Sequence, residues 1–388
     1  MKKSTRKILA VILAIMMVAA CFAGCSNGND TKKSDTLVIG GIGPTTGSAA
    51  AYGNAVKNGA QLAIDEINKN GGVNGMKLSL NFQDDENDAE KSVNAYNSLK
   101  DAGMKLLMGT VTSNPCKAVA SDATSDNMFM LTPSGSAVEC TAGDNAFRIC
   151  FNDPDQGSAS AKYIADNKLA SKVAIIYNSS DVYSTGIKDT FVEKAAEKNL
   201  AIVATEAFTA DSSSDFSVQL QKVQESGAEL LFLPIYYQEA ALILKQANKV
   251  GLNVKFFGCD GLDGTIKQLG DDAALANGVM LLTPFVADAA DQKTKDFVAA
   301  YKAAYKGEVP DQFAADGYDA IYTIKAALED AKVSDINIDP SELCNLIKKS
   351  MLSITVEGLT GTMTWTADGE PNKEPKAMVI QDGSYKAM

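Results

Sequence analysis

The sequence predicts an α/β fold of two lobes, each with a parallel sheet, joined by a hinge that the chain crosses several times. Short apolar runs alternate with helix-periodic segments from Thr36 to about Asp330, which is typical of parallel sheets. The alternation restarts at Lys172, after a junction near residues 151–154. The roughly 350 residues that follow the N-terminal segment also exceed one typical core. Two α/β lobes of similar design therefore fit the chain better than one.

The first series of elements begins with an apolar strand at 37–40 that runs into a Gly-rich turn. A helix is predicted over 52–70, because apolar residues recur on one face until Gly71-Gly72 ends the pattern. A strand over 76–82 and a helix over 88–100 follow. Two further strands, at 105–108 and 128–131, are each followed by a segment with helical character.

The second series repeats this order. Strands are predicted at 173–177, 201–208, 229–233, 255–258 and 279–282, with helices at 184–199 and up to Val250. The rest of the chain is mainly helical, at 291–306, 312–330 and 340–351, with strand-like pieces at 361–365 and 377–380. This tail is too short for a third lobe, so we expect it to complete the first two. The predicted lobes are 36–152 with about 285–360, and 153–284 with about 361–388.

The N-terminus has the layout of a secretory signal over residues 1–24. Four basic residues precede an apolar run from Ile8 to Ala23, which is shorter than the roughly 20 residues that a membrane span needs. Phe22-Ala23-Gly24-Cys25 resembles a bacterial lipobox, so Cys25 is the predicted lipidated residue. Val18-Ala19-Ala20-Cys21 fits the same pattern and keeps Cys21 as an alternative. Residues 25–35 read as a flexible tether, and the predicted location is extracytoplasmic, lipid-anchored to the cell membrane.

Composition argues against several classes of function. The formal net charge is −12, and the signal carries four positive charges and no acid, so the chain from Cys25 onward carries −16. This balance argues against nucleic-acid partners and against adhesion to anionic lipid. The chain has no histidine, which removes the commonest general base and the commonest metal ligand. We expect no catalytic residues, no metal and no cofactor.

The cysteines leave the disulfide pattern open. Beyond Cys21 and Cys25 there are five, and an exported protein permits disulfides. Cys140–Cys150 would close a short loop, Cys116–Cys140 would join two hydroxyl-rich turns, and all five as thiols is an equal alternative.

Two matched segments carry the strongest functional signal. Residues 109–115 (GTVTSNP) and 131–136 (LTPSGS) each follow a buried strand and precede a possible helix. Hydroxyl groups and free backbone N–H groups at such turns suit a carboxylate or phosphate. In an open parallel sheet these turns lie together at the carboxyl ends of the strands, where ligands bind. The alternative is that they are ordinary helix caps.

Other polar motifs are weaker. Gly40 to Gly47 does not have dinucleotide-binding spacing, and the acidic run at 84–86 reads as a solvated loop more than as a calcium site. Asp260 follows a strand of the second series, where its carboxylate either faces an ammonium group or caps the next segment. Tyr183 and Tyr236 also follow strands of that series, and they either cover a ligand or pack at the rim.

Taken together, many short segments of the chain are similar to one family. They are the first strand up to Gly47, Tyr52-Gly53, Gly59-Ala60, residues 63–68, residues 71–75, residues 82–85, Gly109, Thr132-Pro133, Phe147-Arg148, Asp155-Gln156-Gly157, Gly251-Leu252 and residues 317–320. On these residues the chain resembles the leucine/isoleucine/valine-binding group of solute-binding proteins, which serve ABC importers. The resemblance covers essentially all of the mature chain.

The resemblance implies two Rossmann-like lobes with three crossovers, as in type I periplasmic binding proteins, closing over an amino acid. Ser113 and Ser136 would hold the α-carboxylate, and the Ser134 carbonyl with the Ser136 hydroxyl would help to hold the α-ammonium. Asp260, where many relatives have Glu, would pair with the ammonium from the second lobe. The remaining implied ligand-binding residues are Tyr183 and Tyr236, which close over the ligand, and Tyr52, Thr112 and Phe313, which line the side-chain pocket. The disulfide of some relatives, between the loop after Asp85 and the Ser113 turn, has no matching cysteines here.

The predicted function is capture of an amino acid, branched-chain or a related apolar one, for import by an ABC transporter. The expected partners are the amino acid and the permease subunits, with membrane contact through the lipid anchor only, no nucleic acid, and a monomeric state. The alternatives are a receptor of the same fold for urea, amides or aromatic acids, and a sensory ligand-binding protein. An enzyme is not expected, because the chain has neither histidine nor a metal motif.

Overall fold

The computed structural model describes residues 36–373 and 376–388. The predicted signal, the tether, Cys21 and Cys25 lie outside the described residues. Across the described ranges, no helix combines the length and the apolar character that a membrane crossing requires.

The first of two large sheets has five strands in the order β2-β1-β3-β4-β5. β1 pairs with β3, β3 with β4 and β4 with β5, each in parallel. The strands are β1 (Thr36–Gly43), β2 (Lys77–Asp84), β3 (Leu106–Gly109), β4 (Met130–Thr132) and β5 (Ala146–Arg148). Because β3 and β4 are neighbours, the two hydroxyl-rich turns that follow them lie side by side.

The second sheet has seven strands in the order β14-β13-β10-β9-β8-β6-β7. The five strands β10, β9, β8, β6 and β7 are parallel to one another. Strand β13 is antiparallel to both of its neighbours, β10 and β14. The strands are β6 (Lys172–Asn178), β7 (Ala201–Phe208), β8 (Leu230–Leu233), β9 (Lys255–Gly258), β10 (Met280–Thr283), β13 (Lys376–Gln381) and β14 (Ser384–Ala387). A small separate pair is formed by β11 (Val356–Glu357) and β12 (Thr362–Met363). The predicted α/β class with two parallel-rich sheets is confirmed.

Helices follow most of the parallel strands. They are α1 (Ala50–Lys69), α2 (Ala89–Asp101), α3 (Ser113–Ser125), α4 (Asp153–Asp166), α5 (Val182–Glu197), α6 (Ser217–Ser226), α7 (Tyr237–Val250), α8 (Thr265–Leu269), α9 (Gln292–Ala304), α10 (Gln312–Asp330) and α11 (Pro340–Met351). Several begin at an Asp that accepts a backbone N–H, for example Asp311 from Ala314 at 2.9 Å and Asp291 from Thr294 at 2.9 Å. Such caps satisfy amide groups that have no partner inside the helix.

The α1 and α10 helices pack closely enough to bring two aromatic side chains together. A Cβ at Gly59 would lie 1.9 Å from the Ala314 carbonyl oxygen, and one at Gly317 would lie 2.3 Å from the Val56 carbonyl oxygen. Only glycine fits at these two crossings. As a result the N-terminal ends of both helices meet, which places Tyr52 beside Phe313 in the largest apolar cluster.

Segments from distant parts of the chain are bonded together near the end of β5. The indole Nε1 of Trp365 donates to the Arg148 carbonyl oxygen at 2.7 Å. The Lys373 ammonium donates to the Ile149 carbonyl oxygen at 2.7 Å and to Thr360 Oγ1 at 2.6 Å. These are the regions where we predict that the chain passes between lobes, and the boundaries of the lobes stay a prediction.

The cysteines at 116, 140, 150, 259 and 344 are buried thiols in the described residues. All five are therefore reduced, which is one of the alternatives that the sequence left open. Cys116 lies beneath the second hydroxyl-rich turn, since its Sγ is 2.7 Å from where a Cβ on Gly135 would be. It therefore serves as a small apolar residue that fills the space under this turn.

Candidate ligand-binding site

The carboxyl ends of the strands meet at a cavity of about 10 Å³, roughly the space of one water molecule. Eight of the nine predicted ligand-binding residues line it, together with Val111 and Gly261. The eight are Tyr52, Thr112, Ser113, Ser134, Tyr183, Tyr236, Asp260 and Phe313. The ninth, Ser136, is buried next to Ser113. The structure thus brings the predicted set together around a cavity smaller than an amino acid.

The turns after β3 and β4 are cross-linked by their own hydroxyl groups. Ser113 Oγ accepts the backbone N–H groups of Ser136 and Ala137, each at 3.2 Å. Ser134 Oγ donates to the Val111 carbonyl oxygen at 2.7 Å. These bonds hold the two turns against each other.

Arg148 supports the second turn from below. Its guanidinium donates to the carbonyl oxygens of Gly135 and Ala137, each at 3.0 Å, and forms an ion pair with Glu370 at 3.1 Å. The Arg148 side chain is fully buried. Its positive charge therefore faces the carbonyl oxygens of the turn, and Arg148 does not line the cavity.

Two hydroxyl groups in the turns have no partner among the described residues. They are Thr112 Oγ1 and Ser136 Oγ, and both are buried. An unsatisfied buried hydroxyl costs free energy, on the order of 1–3 kcal/mol. Polar atoms left in this state beside a cavity are suited to bind a polar ligand.

Asp260 supplies the negative charge of the site from the loop after β9. The Tyr183 hydroxyl donates to Asp260 Oδ1 at 2.8 Å, and the same hydroxyl accepts the Gly261 N–H at 3.0 Å. Burial raises the pKa of the Asp260 carboxyl to about 6, although the Tyr183 hydrogen bond opposes the shift. The carboxylate is therefore desolvated and would be stabilised by a cationic group.

Two glutamines that the sequence did not single out as site residues hold the Asp260 backbone. The Asp260 N–H donates to Gln156 Oε1 at 3.2 Å, and Gln312 Nε2 donates to the Asp260 carbonyl oxygen at 2.7 Å. Both glutamines are fully buried. Gln156 appeared in the sequence only as part of a family motif, and Gln312 gave no signal beyond its place at the start of a helix.

Aromatic rings form the rest of the wall. The Tyr52 ring centroid is 4.1 Å from that of Phe313 and 5.5 Å from that of Tyr236, which stacks at 4.9 Å on Tyr183. The Tyr52 hydroxyl donates to the Gly261 carbonyl oxygen at 2.5 Å and accepts the Tyr237 N–H at 3.0 Å. Tyr52 thus joins α1 to the loop after β9 and to the first residue of α7, a contact that the sequence did not indicate.

The electrostatic character of the cavity restricts the ligand. Among the described residues, no Lys or Arg lines it, and no group of three or more potential metal ligands occurs. In the acidic run at 84–86, the Asp84 carboxylate accepts hydrogen bonds from the backbone N–H groups of Thr45 and Glu86, at 2.8 and 3.0 Å, and so stabilises a turn. The site thus offers neutral donors on one side, one carboxylate on the other, and aromatic surface between them.

Comparison with known proteins agrees with this architecture. The family model described as periplasmic binding protein matches residues 36–384. The Leu/Ile/Val-binding protein BraC3 of Rhizobium johnstonii is 31% identical over 328 residues, which cover 83% of this chain and 85% of that protein. The leucine-, isoleucine-, valine-, threonine- and alanine-binding protein of Pseudomonas aeruginosa is 28% identical, covering 95% and 94% of the two chains.

Solved structures superpose over the same length. The branched-chain amino acid transporter substrate-binding protein LivJ of Streptococcus pneumoniae, in complex with isoleucine, has a TM-score of 0.81 and 28% identity, covering 91% of this chain and 98% of that one. A solute-binding protein of R. palustris in complex with benzoate also has a TM-score of 0.81, at 20% identity, covering 91% and 95%, and it supports the fold alone. The resemblance inferred from the sequence is confirmed: the chain belongs to the leucine/isoleucine/valine-binding family of type I periplasmic binding proteins.

Proposed function

We propose that this protein captures a free branched-chain or related apolar α-amino acid outside the cytoplasm and delivers it to an ABC importer. The observation that carries the proposal is the arrangement of the cavity. The Asp260 carboxylate and the hydroxyl-rich turns of Ser113 and Ser136 lie on different sheets, with aromatic rings between them. The names of BraC3 and of the LivJ complex with isoleucine support the ligand class.

Each part of the amino acid has a matching group. The α-carboxylate binds the hydroxyls and N–H groups of the turns after β3 and β4, where Ser136 Oγ and Thr112 Oγ1 lack partners among the described residues. The α-ammonium pairs with Asp260, whose negative charge is desolvated by burial. The apolar side chain lies against the aromatic rings of Tyr52 and Phe313.

Binding is coupled to closure of the lobes. A leucine side chain does not fit in a cavity of about 10 Å³, so the wall must move for the ligand to enter. Tyr52 is the contact most affected, because its hydroxyl bonds to both Gly261 and Tyr237. A ligand stabilises the closed state only through contacts that it makes with both lobes.

Isothermal titration calorimetry with leucine, isoleucine and valine tests the ligand class. Leucinamide is the matched control, because it keeps the ammonium and the side chain but lacks the carboxylate. We expect binding of at least one free amino acid and a loss of 100-fold or more for the amide, since charge-assisted hydrogen bonds in a buried site give strong discrimination. Equal affinity for leucine and leucinamide would contradict the proposal.

Benzoate and urea distinguish the alternative ligand classes. A benzoate carboxylate placed between the aromatic rings would face Asp260 without a cation to separate them, so we expect no binding. Binding of benzoate or urea, with none of the amino acids, would keep the receptor class and overturn the ligand.

The lipid anchor forms a separate part of the proposal. Its support is the basic and apolar N-terminal run that ends in Phe22-Ala23-Gly24-Cys25. Labelling of growing bacterial cells with a radioactive fatty acid tests it. We expect wild-type protein and the Cys21→Ala variant to incorporate label and Cys25→Ala to lack it, whereas the reverse pattern would assign the anchor to Cys21.

A further inference from the structure

A second cavity, of about 480 Å³, is lined in part by Asp263 and Gly264, which follow Asp260 in the chain. Its lining comes from four parts of the chain: the loop and helix after β9, the residues after β10, those before and at the start of α10, and the turn and first residues of β14. The volume falls within the range of about 300–1,000 Å³ that is typical of small-molecule sites. None of the predicted ligand-binding residues lines it.

The cavity has an apolar wall of moderate size. Phe285 is buried, and Ile266, Ala287, Val309 and Pro310 complete this wall. The Val309 side chain is 57% exposed, so the wall reaches the surface. An apolar group the size of a benzene ring would bury part of this surface.

The charged residues of the lining are predominantly acidic. Of the four carboxylates, Glu308 forms an ion pair with Lys267, and Asp288 forms one with Lys386 at 2.7 Å. The other two are Asp263 and Asp311, and no ion pair to either is found among the described residues.

Asp263 and Asp311 are held in place by hydrogen bonds. Asp263 accepts the Tyr385 hydroxyl at 2.6 Å and the Gln312 N–H at 3.1 Å, and Asp311 caps α10 through Ala314. Burial raises the pKa of Asp311 to about 8, and repulsion from Asp263 adds to the shift. The two carboxyls are therefore close enough to repel each other, and Lys267, the cation that opposes the shift of Asp311, is itself ion-paired with Glu308.

A further acceptor in the lining has no partner. Gln312 is fully buried and lines the cavity, and its Oε1 has no hydrogen-bond partner among the described residues. An ammonium group offers three donors and one positive charge, which suits two carboxyls and an amide oxygen. A carboxylate ligand would be repelled by the same set.

We infer that this cavity is a second binding site, whose ligand is a small primary amine with an apolar body. The ammonium lies between Asp263 and Asp311, and the apolar body contacts Phe285 and Val309. The site is separate from the one proposed for the amino acid.

Calorimetric titration of the protein with benzylamine at neutral pH tests this inference, with benzyl alcohol as the uncharged probe of the same shape. We expect saturable binding of benzylamine with a Kd on the order of 1 mM or tighter. Benzyl alcohol should bind at least tenfold more weakly, because it lacks the charge. No saturable binding of benzylamine up to about 10 mM, or equal binding of the alcohol, would overturn the proposal.

Two cap residues provide matched variants. Asp311→Asn removes the ionisable carboxyl that would pair with the ammonium and keeps a good helix cap, so we expect benzylamine affinity to fall tenfold or more. Asp291→Asn makes the same change at the cap of α9, away from the cavity, and should alter affinity less than twofold. Equal affinities of the two variants would overturn the proposal.

Two further variants test where benzylamine binds. Ala287→Trp fills the cavity from another element and should abolish benzylamine binding even if Asp311→Asn is poorly folded. Asp260→Asn should leave benzylamine binding intact. If Asp260→Asn abolishes benzylamine binding, or leucine displaces benzylamine competitively, the amine occupies the first cavity and the inference is wrong.

Discussion

The two halves of the candidate amino-acid site use different chemistry. The half on the first sheet consists of neutral hydroxyls and N–H groups in turns that are cross-linked through Ser113 and Ser134. The half on the second sheet consists of the Asp260 carboxylate and the phenol groups of Tyr183 and Tyr236. The groups of the first half that line the cavity are uncharged, whereas the second half carries a carboxylate whose charge depends on pH. We therefore expect ligand affinity to be most sensitive to changes in the second half.

The largest expected effect comes from Asp260→Asn. This change leaves the shape of the side chain nearly unaltered but removes the charge that pairs with the ligand ammonium. Loss of a buried charge pair costs about 2–5 kcal/mol, so leucine affinity measured by calorimetry should fall about 30-fold or more. Asp291→Asn is the control and should bind leucine as the wild type does. An Asp260→Asn variant within threefold of wild type would contradict the pairing of Asp260 with the ligand ammonium.

Acidification is the second test. Burial raises the pKa of Asp260 to about 6 in the free protein, so its carboxyl is mostly protonated below that pH. Leucine keeps its zwitterionic form there, and affinity at pH 5 should be about tenfold weaker than at pH 7.5. The same titration on Asp260→Asn should give a flat profile. A similar decline in that variant would assign the pH effect to another group, such as Asp181, whose pKa burial also raises to about 6.

The sign of the effect on stability is opposite for the free protein. Because the folded pKa of Asp260 is raised, its contribution to stability is present below the unfolded pKa of about 3.9 and is lost as pH rises through about 6. The ammonium of a bound amino acid removes this penalty. The ligand-induced rise in Tm should therefore be larger at pH 7.5 than at pH 5.

Two serines of one turn provide the third test. Ser136 Oγ has no partner among the described residues, whereas Ser134 Oγ donates to the Val111 carbonyl oxygen. Ser136→Ala should lower leucine affinity about tenfold and leave the stability of the free protein unchanged or slightly higher, because no hydrogen bond of the free protein is lost. Ser134→Ala should instead lower stability by about 1 kcal/mol with a smaller loss of affinity. Calorimetry and urea unfolding of both variants check this, and identical behaviour would contradict it.

The smallest expected effect is that of Tyr183→Phe. The variant removes one hydrogen bond to Asp260 and one acceptor for the Gly261 N–H. Leucine affinity should fall about fivefold, and the midpoint of its pH dependence should move upward because the ionised carboxylate loses a donor. An unchanged midpoint would mean that the Tyr183 hydroxyl does not stabilise the carboxylate.

The first half of the site was more predictable from sequence than the second. The turns after β3 and β4 follow from local signals, namely a buried strand, small hydroxyl residues and a helix start, and they lie side by side as expected. Helix α10 was predicted with its observed bounds, Gln312–Asp330. Local patterns of this kind need no knowledge of the tertiary structure.

The missed features depend on tertiary contacts. Gln156 and Gln312 reach Asp260 from positions 104 and 52 residues away, so no nearby pattern marks them. Helix α6 was missed because only Leu220 and Val223 of its ten residues are buried, which gives a weak apolar period. The antiparallel direction of β13 was also not indicated, because a short apolar strand reads the same in either direction.

Trp365 gives this protein a built-in optical probe. It is the single tryptophan of the chain, it is 6% exposed, and its indole N–H bonds to the carbonyl oxygen of Arg148. Excitation at the red edge of the absorption band selects it over the 12 tyrosines that would otherwise contribute. Emission from this indole therefore reports on the segment around Trp365, which is hydrogen-bonded to the end of β5. Any change in the surroundings of this segment on addition of a ligand can be followed there in real time without attaching a dye.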